Sequence, residues 1–224
     1  MISIIIPVLN EEKNISGLLK RLSELKGKKE IIVVDGGSRD KTVEQAFSLA
    51  NVIRSPRGRA LQMNMGAKKA KGDILWFLHS DSIVDVGSLK AIEESISQGN
   101  IGGGFSLYFY DSKKLFMKWL AFTSNMRVNL TKSFYGDQGI YIKKESFFMI
   151  GGFPEIPIME DLEFSKRIKK MGRVKKLNEK IGTSARRFTS CGIYRTFILM
   201  IKMRVLYMMG VSPEKLNKMY REVR

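Results

Sequence analysis

Apolar runs alternate with amphipathic stretches through the first hundred residues of the chain. The run "ISIIIPV" at residues 2–8 is almost entirely apolar, as expected of a strand buried on both faces, and "EIIVVD" and "DILWFLH" repeat the pattern. Between the first two runs, apolar residues from Ile15 to Leu25 recur at helical spacing, and Asn10 is predicted to cap this helix. The alternation of strand and helix through about residue 98 predicts a parallel sheet with covering helices.

The later part of the chain follows a mixed pattern. Further strands are predicted at "VIRS", "GGGFSLYFY" and "GDQGIYIKK", and further helices at "RDKTVEQAF", "GRALQMNMGAKKA", "KLFMKWLAFTSNMRVNL" and "MEDLEFSKRIKKMG". The apolar segment "GIYRTFILMIKMRVLYMMG" is interrupted by Arg195, Lys202 and Arg204, which makes it too charged for a membrane span. The pattern predicts one α/β domain followed by a helical C-terminal extension.

Charge is distributed unevenly along the chain. The 224 residues include 39 Lys and Arg against 22 Asp and Glu, a net charge of +17, and from Lys166 onward 17 residues are basic and 3 acidic. This excess predicts an anionic partner, for which nucleic acid, an anionic membrane and a diphosphate substrate are all candidates. The single cysteine, Cys191, and an N-terminus without signal-peptide features favour a cytoplasmic location.

Polar clusters follow three of the predicted strands: "PVLNEE", "VVDGGSRD" and "LHSDS". In open α/β sheets, ligands bind beyond the carboxyl ends of the strands, so these clusters are the candidate binding site. Asp35 is followed by two glycines and could accept hydrogen bonds from a ribose or a base, or could shape a turn. No GxGxxG follows the first strand, which argues against a dinucleotide-binding dehydrogenase.

Several motifs, taken together and in order, resemble those of family 2 glycosyltransferases with the GT-A fold. They are "IIPVLNEE", "VVDGGSRDKT", "GRALQMNMGA", "GDILWFLHSDS", "GDQGIYIKKESF…GGFP" and "MEDLEFSKRI", and "TSARRF" and "MGVSPEKLNKMY" extend the likeness over nearly the whole chain. The resemblance implies a GT-A-like α/β domain at 1–190, with a mainly parallel central sheet flanked by helices, and a basic helical extension at 191–224. It also implies metal-assisted, inverting transfer of a sugar from a nucleotide-diphosphate donor, by default a UDP-sugar, to an acceptor hydroxyl, with Mn²⁺ or Mg²⁺ as cofactor.

The resemblance assigns roles to individual residues. It implies that Asp35 contacts the nucleoside, that Asp81 holds the metal on the donor diphosphate, and that Asp161 is the general base, with Glu160 as the alternate. Glu160 and Asp161 could also simply be acids favoured in the first turn of a helix. The other candidates are Pro7, Asn10 and Glu11 in the nucleotide pocket, Gln62 and Asn64 on the nucleotide side, Arg59 and Arg187 on the diphosphate, and Asp137 and Gln138 on the acceptor side.

His79 departs from the family pattern, because it stands where the first acid of the Asp-x-Asp element is expected. A hard cation such as Mg²⁺ prefers oxygen ligands, whereas Mn²⁺ tolerates a neutral imidazole better. We therefore consider three roles for His79: a metal ligand, a hydrogen-bond partner of the nucleotide, and an ordinary residue at the end of a strand. As the only histidine in the chain, it excludes a multi-histidine zinc site.

Two basic apolar segments, 113–132 and 193–224, suggest contact with an anionic membrane surface and a lipid or lipid-linked acceptor. Packing on the core and a homo-oligomer interface are equal alternatives. For the whole chain, the competing functions are a nucleotidyltransferase, a non-catalytic basic module that binds nucleotide or RNA, and a degenerate glycosyltransferase that has lost activity. "PVLNEEKN" lacks the glycine-rich basic loop expected of a nucleotidyltransferase. An RNA-binding module would leave the aligned carboxylates unexplained.

Overall fold

A computed structural model describes residues 1–222 of the chain as an eight-stranded mixed sheet covered by helices. The strands are β1 Ile2–Val8, β2 Lys29–Asp35, β3 Asn51–Arg54, β4 Ile74–Phe77, β5 Ile83–Val84, β6 Gly102–Phe109, β7 Tyr141–Lys143 and β8 Val174–Thr183. The helices are α1 Ile15–Glu24, α2 Thr42–Ala46, α3 Arg59–Lys69, α4 Ser88–Ser97, α5 Leu115–Thr131, α6 Lys144–Met149, α7 Glu160–Met171, α8 Arg186–Cys191, α9 Ile193–Met208 and α10 Pro213–Glu222.

The sheet has the strand order β3-β2-β1-β4-β7-β6-β8-β5. Strands β3, β2, β1 and β4 are parallel, which confirms the predicted parallel half, and the antiparallel strand β7 joins this half to β6 and β8. Val8 pairs with Asp35 in the β1–β2 register, so the carboxyl ends of these two strands lie side by side. The polar segments that follow them are thereby brought to one edge of the sheet.

Apolar residues on the two faces of the sheet form two main cores. On one face, α1 and α4 contribute residues such as Leu19 and Ile92. On the other face, α3, α6 and α7 contribute residues such as Met63, Phe147 and Phe164. Helical spacing explains this division, because each of these helices turns one apolar stripe towards the sheet and leaves its other positions to solvent.

The C-terminal helices pack on α5. A third apolar cluster joins Met117 and Leu120 of α5 to Phe188 of α8, with Phe197 of α9 packed against it. The predicted extension at 191–224 is thus helical as far as it is described, and its last two residues, 223 and 224, lie outside the described residues. Within residues 1–222, no helix is both long and apolar enough to cross a membrane.

The structure differs from the sequence prediction in two places. Asn10 does not cap α1, which begins at Ile15; instead Asn10 has a φ of 55° and its Oδ1 accepts a hydrogen bond of 2.8 Å from the backbone N–H of Arg39. The ten-residue strand β8 was not predicted, because its sequence "VKKLNEKIGT" is rich in charged residues. It lies between β6 and the short strand β5, near the edge of the sheet, where alternate side chains face solvent.

Gln62 of α3 fastens the ends of β1 and β2 from within the protein. Its Nε2 donates hydrogen bonds of 2.8 Å to the carbonyls of both Val8 and Val34, and its side chain is 5% exposed. A Cβ atom on Gly36 would lie 3.1 Å from the Gln62 amide, so the glycine leaves the space that the amide needs. Gln62 therefore has a structural role at the edge of the sheet where the polar segments meet.

We expect Gln62→Ala to lower the free energy of unfolding by about 2 kcal/mol or more, because it removes two buried hydrogen bonds and leaves a gap. Urea unfolding followed by circular dichroism measures the change. Gln98→Ala, at an exposed glutamine, is the control and should change the stability by less than about 0.5 kcal/mol. Equal stabilities for the two variants would contradict the structural role of Gln62.

Candidate active site

Asp35 lies at the carboxyl end of β2 and is 2% exposed. Its carboxylate accepts hydrogen bonds from the backbone N–H groups of Gly37, at 3.1 Å, and Ser38, at 3.0 Å. The Ser38 hydroxyl in turn accepts a hydrogen bond from the N–H of Asn10. The carboxylate thus organises the loop after β2 and links it to the loop after β1. A turn-forming role is observed, and the nucleoside contact stays a prediction.

Glu11 and Asp81 form an acidic pair faced by two arginines. Arg186 Nη2 lies 3.7 Å from Glu11 Oε1, and Asn14 Nδ2 donates a hydrogen bond of 2.7 Å to Glu11 Oε2. Burial and the negative charge of Glu11 raise the pKa of Asp81 above its ordinary value, while Arg186 and Arg187 act in the opposite direction. A cation or a network of hydrogen-bond donors placed between the two carboxylates would relieve their repulsion. Pro7 lies nearby in sequence, within β1, and is half-buried.

Asp161 is the second residue of α7 and lines a small cavity. Its Oδ2 accepts a hydrogen bond of 2.9 Å from the backbone N–H of Gly136, which holds the carboxylate in one orientation. The neighbouring Glu160 is 2% exposed, and Arg59 Nε lies 2.9 Å from its Oε1. The lining residues are Arg59, Met63, Phe77, Leu78, His79, Gly136, Ile140, Phe153, Glu160 and Asp161. The structure thus brings Arg59, Glu160 and Asp161, all three candidates from the sequence, to the lining of one cavity.

His79 contributes its imidazole to the same cavity. A Cβ atom on Gly136 would lie 2.6 Å from His79 Nε2 and 3.7 Å from Asp161 Oδ2, so the absence of a side chain at Gly136 keeps the two groups adjacent. His79 Nε2 is buried and has no hydrogen-bond partner within residues 1–222. Burial, and then the positive charges of Arg59 and Arg187, lower the pKa of His79 to about 3. The imidazole is therefore neutral at physiological pH.

Three polar side chains of the predicted site are used by the fold itself. Asn64 Nδ2 donates to the carbonyl of Phe153, and Asn64 Oδ1 accepts from its N–H, both at 2.9 Å. Gln138 is fully buried, with Oε1 bonded at 3.2 Å to Arg127 Nη2 and to the N–H of Tyr135. Gln62 likewise binds strand carbonyls. The amides of Gln62, Asn64 and Gln138 are therefore occupied by partners within the protein, and none of the three belongs to the proposed ligand site.

Asp137 lies beside Asp161 in the loop before β7. Burial and the charge of Asp161 raise the pKa of Asp137, and its Oδ1 is buried without a hydrogen-bond partner within residues 1–222. Two arginines act in the opposite direction and stabilise its charge: Arg127 of α5 and Arg204 of α9. Their guanidinium carbons lie 3.7 and 4.5 Å from the centre of the Tyr135 ring. Sequence reasoning missed these two arginines, although both stand out as charges within apolar helices.

The described residues offer a partial ligand set for a divalent cation. Within residues 1–222, no three or more His, Cys, Asp or Glu side chains are grouped so that they could hold a metal ion by themselves. Asp81 and Glu11 do provide two neighbouring carboxylates, the oxygen ligands that Mg²⁺ and Mn²⁺ accept; burial, and then the negative charge of Glu11, raise the pKa of Asp81. The residues therefore fit a cation whose remaining ligands come from a bound diphosphate.

Comparisons with known proteins find relatives of this chain. An uncharacterized glycosyltransferase of Haemophilus influenzae is 32% identical over 182 residues, which are 73% of this chain and 60% of the relative. The chain thus spans less than two thirds of that relative's length.

Solved structures share the fold. The mannosyltransferase PcManGT from Pyrobaculum calidifontis, solved with GDP-Man and Mn²⁺, aligns with a TM-score of 0.65 and 22% identity over 82% of this chain and 56% of its own. Residues 1–349 of S. aureus TarS, solved with UDP-GlcNAc, align with a TM-score of 0.62 and 21% identity over 82% of this chain and 58% of that one. These likenesses show that the fold is GT-A.

The family itself is shown by the sequence. The model of glycosyl transferase family 2 matches residues 3–153, well over half of the chain. The match includes the ends of β1, β2 and β4 and the loop that contains Gly136, and it stops before α7. The chain therefore belongs to glycosyl transferase family 2, and its fold is the GT-A fold.

Proposed function

We propose that this protein transfers a sugar, with inversion, from a nucleotide-diphosphate donor to an acceptor hydroxyl, and that Asp161 is the general base. The main support is the hydrogen bond of 2.9 Å that orients the Asp161 carboxylate in a cavity next to Arg59 and His79. In an inverting displacement, the base removes the acceptor proton on the side of the anomeric carbon opposite the leaving group. A fixed carboxylate at an open cavity meets this requirement.

Asp161 is a better base than Glu160 for electrostatic reasons. Glu160 is almost fully buried and paired with Arg59, so accepting a proton would cost it the ion pair. The Asp161 carboxylate accepts hydrogen bonds from the backbone N–H groups of Gly136 and Leu162, and within residues 1–222 it forms no salt bridge. Glu160 is therefore proposed to hold Arg59 in place, where the guanidinium can meet a phosphate oxygen.

The donor is proposed to bind along the carboxyl ends of β1, β2 and β4. The residues assigned to it are Pro7, Asn10, Glu11, Asp35, Arg59, Asp81 and Arg187. The two structures that share the fold contain GDP-Man and UDP-GlcNAc, which supports a nucleotide sugar without choosing the base. The UDP-sugar remains the default donor.

A divalent cation, Mn²⁺ or Mg²⁺, is proposed as cofactor, with Asp81 and Glu11 as the residues that would hold it. When bound, such a cation acts as a Lewis acid that stabilises the charge of the departing nucleoside diphosphate. Arg186 and Arg187 add positive charge on the same side, because both influence Asp81. Arg186 Nη2 lies 3.7 Å from Glu11 Oε1, so this arginine would be close to a cation held by Glu11. Arginine and cation would then both contribute positive charge next to the diphosphate.

His79 is proposed to contact the donor as a neutral hydrogen-bonding group. Among residues 1–222, its Nε2 is buried without a hydrogen-bond partner in the cavity that Asp161 lines, and Asp81 is not one of the residues that line this cavity. This separation favours the nucleotide-sugar contact over a metal site shared by His79 and Asp81. A neutral imidazole can donate or accept a hydrogen bond without adding a third positive charge beside Arg59 and Arg187.

The acceptor is proposed to approach past Asp137 and to be a lipid or a lipid-linked molecule. Asp137 adjoins the proposed base, and its buried Oδ1 has no hydrogen-bond partner within residues 1–222. The support for a lipid is the apolar character of α5 and α9, which both reach this loop through Arg127 and Arg204. Association with an anionic membrane, on its cytoplasmic face, is part of the same proposal.

We expect Asp81→Asn to weaken metal-dependent donor binding by about tenfold or more, because it removes a carboxylate from the partial ligand set. Calorimetry with UDP-, GDP-, dTDP- and CDP-sugars, each with Mn²⁺, Mg²⁺ or EDTA, identifies the donor and measures the loss. Asp73→Asn is the matched control, since Asp73 precedes the same strand at its other end and its side chain is 88% exposed. Failure of every donor to bind the wild type would contradict an active transferase and favour a degenerate or RNA-binding relative.

We expect Asp161→Asn to lower kcat by about 10²–10⁴-fold while leaving donor affinity nearly unchanged, because the amide cannot accept the acceptor proton. Release of nucleoside diphosphate from the donor measures turnover, and calorimetry measures affinity. Glu160→Gln is the comparison and should weaken donor binding through Arg59. If Glu160→Gln abolishes turnover and Asp161→Asn does not, the assignment of the base is wrong.

We expect His79 to stay neutral from pH 8 down to pH 5, because burial and the charges of Arg59 and Arg187 lower its pKa to about 3. As the only histidine, it gives one set of imidazole signals in ¹⁵N NMR spectra of the labelled protein. The same chain unfolded in urea is the control and should titrate near the usual pKa of about 6.5. Arg187→Gln should raise the folded-state pKa, and a wild-type midpoint near that of the unfolded chain would contradict a buried neutral imidazole.

A further inference from the structure

Helix α5 presents an unbroken stripe of exposed apolar side chains. The stripe consists of Leu115, Trp119, Phe122, Met126 and Leu130, which are 81%, 48%, 62%, 44% and 79% exposed. Steps of three or four residues place all five on one side of the helix. Because Asn125 bonds the N–H and the carbonyl of Leu107 in β6, at 2.9 and 3.0 Å, the helix is fixed to the sheet with this stripe outward.

Helix α9 carries a second stripe of the same kind. It consists of Tyr194, Ile198, Ile201, Val205 and Met208, which are 67%, 64%, 42%, 48% and 79% exposed. Phe116 of α5 joins the two helices, since its ring centre lies 4.9 Å from that of Tyr194 and 5.4 Å from that of Phe197. The two stripes adjoin, and their ten residues are called the α5–α9 apolar surface below.

The charged residues of the two helices that carry this surface are all of one sign. Helices α5 and α9 contain no Asp or Glu, and their charged residues are Lys118, Arg127, Arg195, Lys202 and Arg204. Lys118 and Lys202 are exposed and lie one turn from stripe residues. Apolar side chains bordered by Lys and Arg match a layer of anionic headgroups above acyl chains. A second copy of the chain would instead bring positive charge against positive charge.

We propose that the α5–α9 apolar surface docks on an anionic lipid bilayer, with both helices lying in the plane of the membrane. Apolar stripes of this length facing water are unusual for a monomeric protein and indicate an interaction surface. The stripes would enter the boundary between headgroups and acyl chains, while Lys118 and Lys202 reach the headgroups.

The same helices connect the docking surface to the proposed acceptor side. Arg127 from α5 and Arg204 from α9 both lie over Tyr135, which precedes Gly136. The hydroxyl of Tyr207 in α9 donates a hydrogen bond of 3.0 Å to Glu163 of α7, the helix that holds Asp161. Docking would therefore bring the acceptor loop to the membrane. Docking itself does not depend on sugar transfer, whereas delivery of a lipid acceptor rests on the proposed function.

The two tryptophans of the chain make docking directly observable. Trp76 is fully buried, whereas Trp119 belongs to the α5–α9 apolar surface and is 48% exposed. We expect vesicles of phosphatidylglycerol and phosphatidylcholine to shift the fluorescence maximum to shorter wavelength and to sediment the protein. Vesicles of pure phosphatidylcholine should do so weakly, and high salt should reduce binding to the anionic vesicles. Trp119→Phe should lose the spectral shift and still sediment.

Paired substitutions test which surface binds. We expect Phe122→Ser combined with Ile198→Ser to lower the vesicle partition coefficient by about tenfold or more, since two apolar side chains that would be buried in the bilayer are lost. Phe47→Ser combined with Val86→Ser is the matched control, because these residues are 67% and 83% exposed elsewhere on the protein. Control and wild type should bind alike.

Three results would overturn the proposal: no binding of the wild type to anionic vesicles, equal loss in both paired variants, or a dimer in light scattering that the Phe122 and Ile198 variant abolishes. The last would show that a second copy covers the surface. Donor binding by calorimetry, measured on the same preparations, separates this proposal from the proposed function. Normal donor binding without docking rejects the membrane surface alone, and docking without donor binding rejects the transferase function alone.

Discussion

The structure depends on the burial of β1 between two parallel neighbours. Six of its seven residues, the four isoleucines, Ser3 and Val8, are almost completely shielded from water, and its backbone pairs with β2 on one side and β4 on the other. This arrangement forces the loops after all three strands to emerge at one edge. Gln62 stabilises that edge by donating hydrogen bonds to the carbonyls of Val8, the last residue of β1, and Val34, the last but one of β2. The polar groups of the site owe their proximity to this apolar strand.

Electrostatics at the site follow from placing many charges near one cavity. Arg59 neutralises Glu160, Arg186 approaches Glu11, and Arg187 acts on His79 and Asp81. These local pairings leave the site with guanidinium groups suited to a diphosphate and with a histidine that does not ionise. Much of the remaining positive charge lies on the C-terminal helices. In the two proposals, this basic chain uses its charge in two places, one inside the cavity and one on a surface.

The parallel half of the fold and the position of the site could be predicted from the sequence, because apolar runs ending in polar residues mark buried strands and their carboxyl ends. Asp35, Asp81 and Asp161 follow from the same pattern together with the family motifs. The partners of Asn64 and Gln138 could not be predicted, since an amide's backbone partner depends on the distant segment that packs beside it. Strand β8 was missed because a strand near the edge of a sheet tolerates charged residues on its open face.

Gly136 joins two functions in one backbone position. Its N–H orients the carboxylate of Asp161, and its missing side chain leaves the space filled by the imidazole of His79. A shift of this peptide would therefore change the angle of the base and the depth of the imidazole together. Neither group can be adjusted alone through this loop.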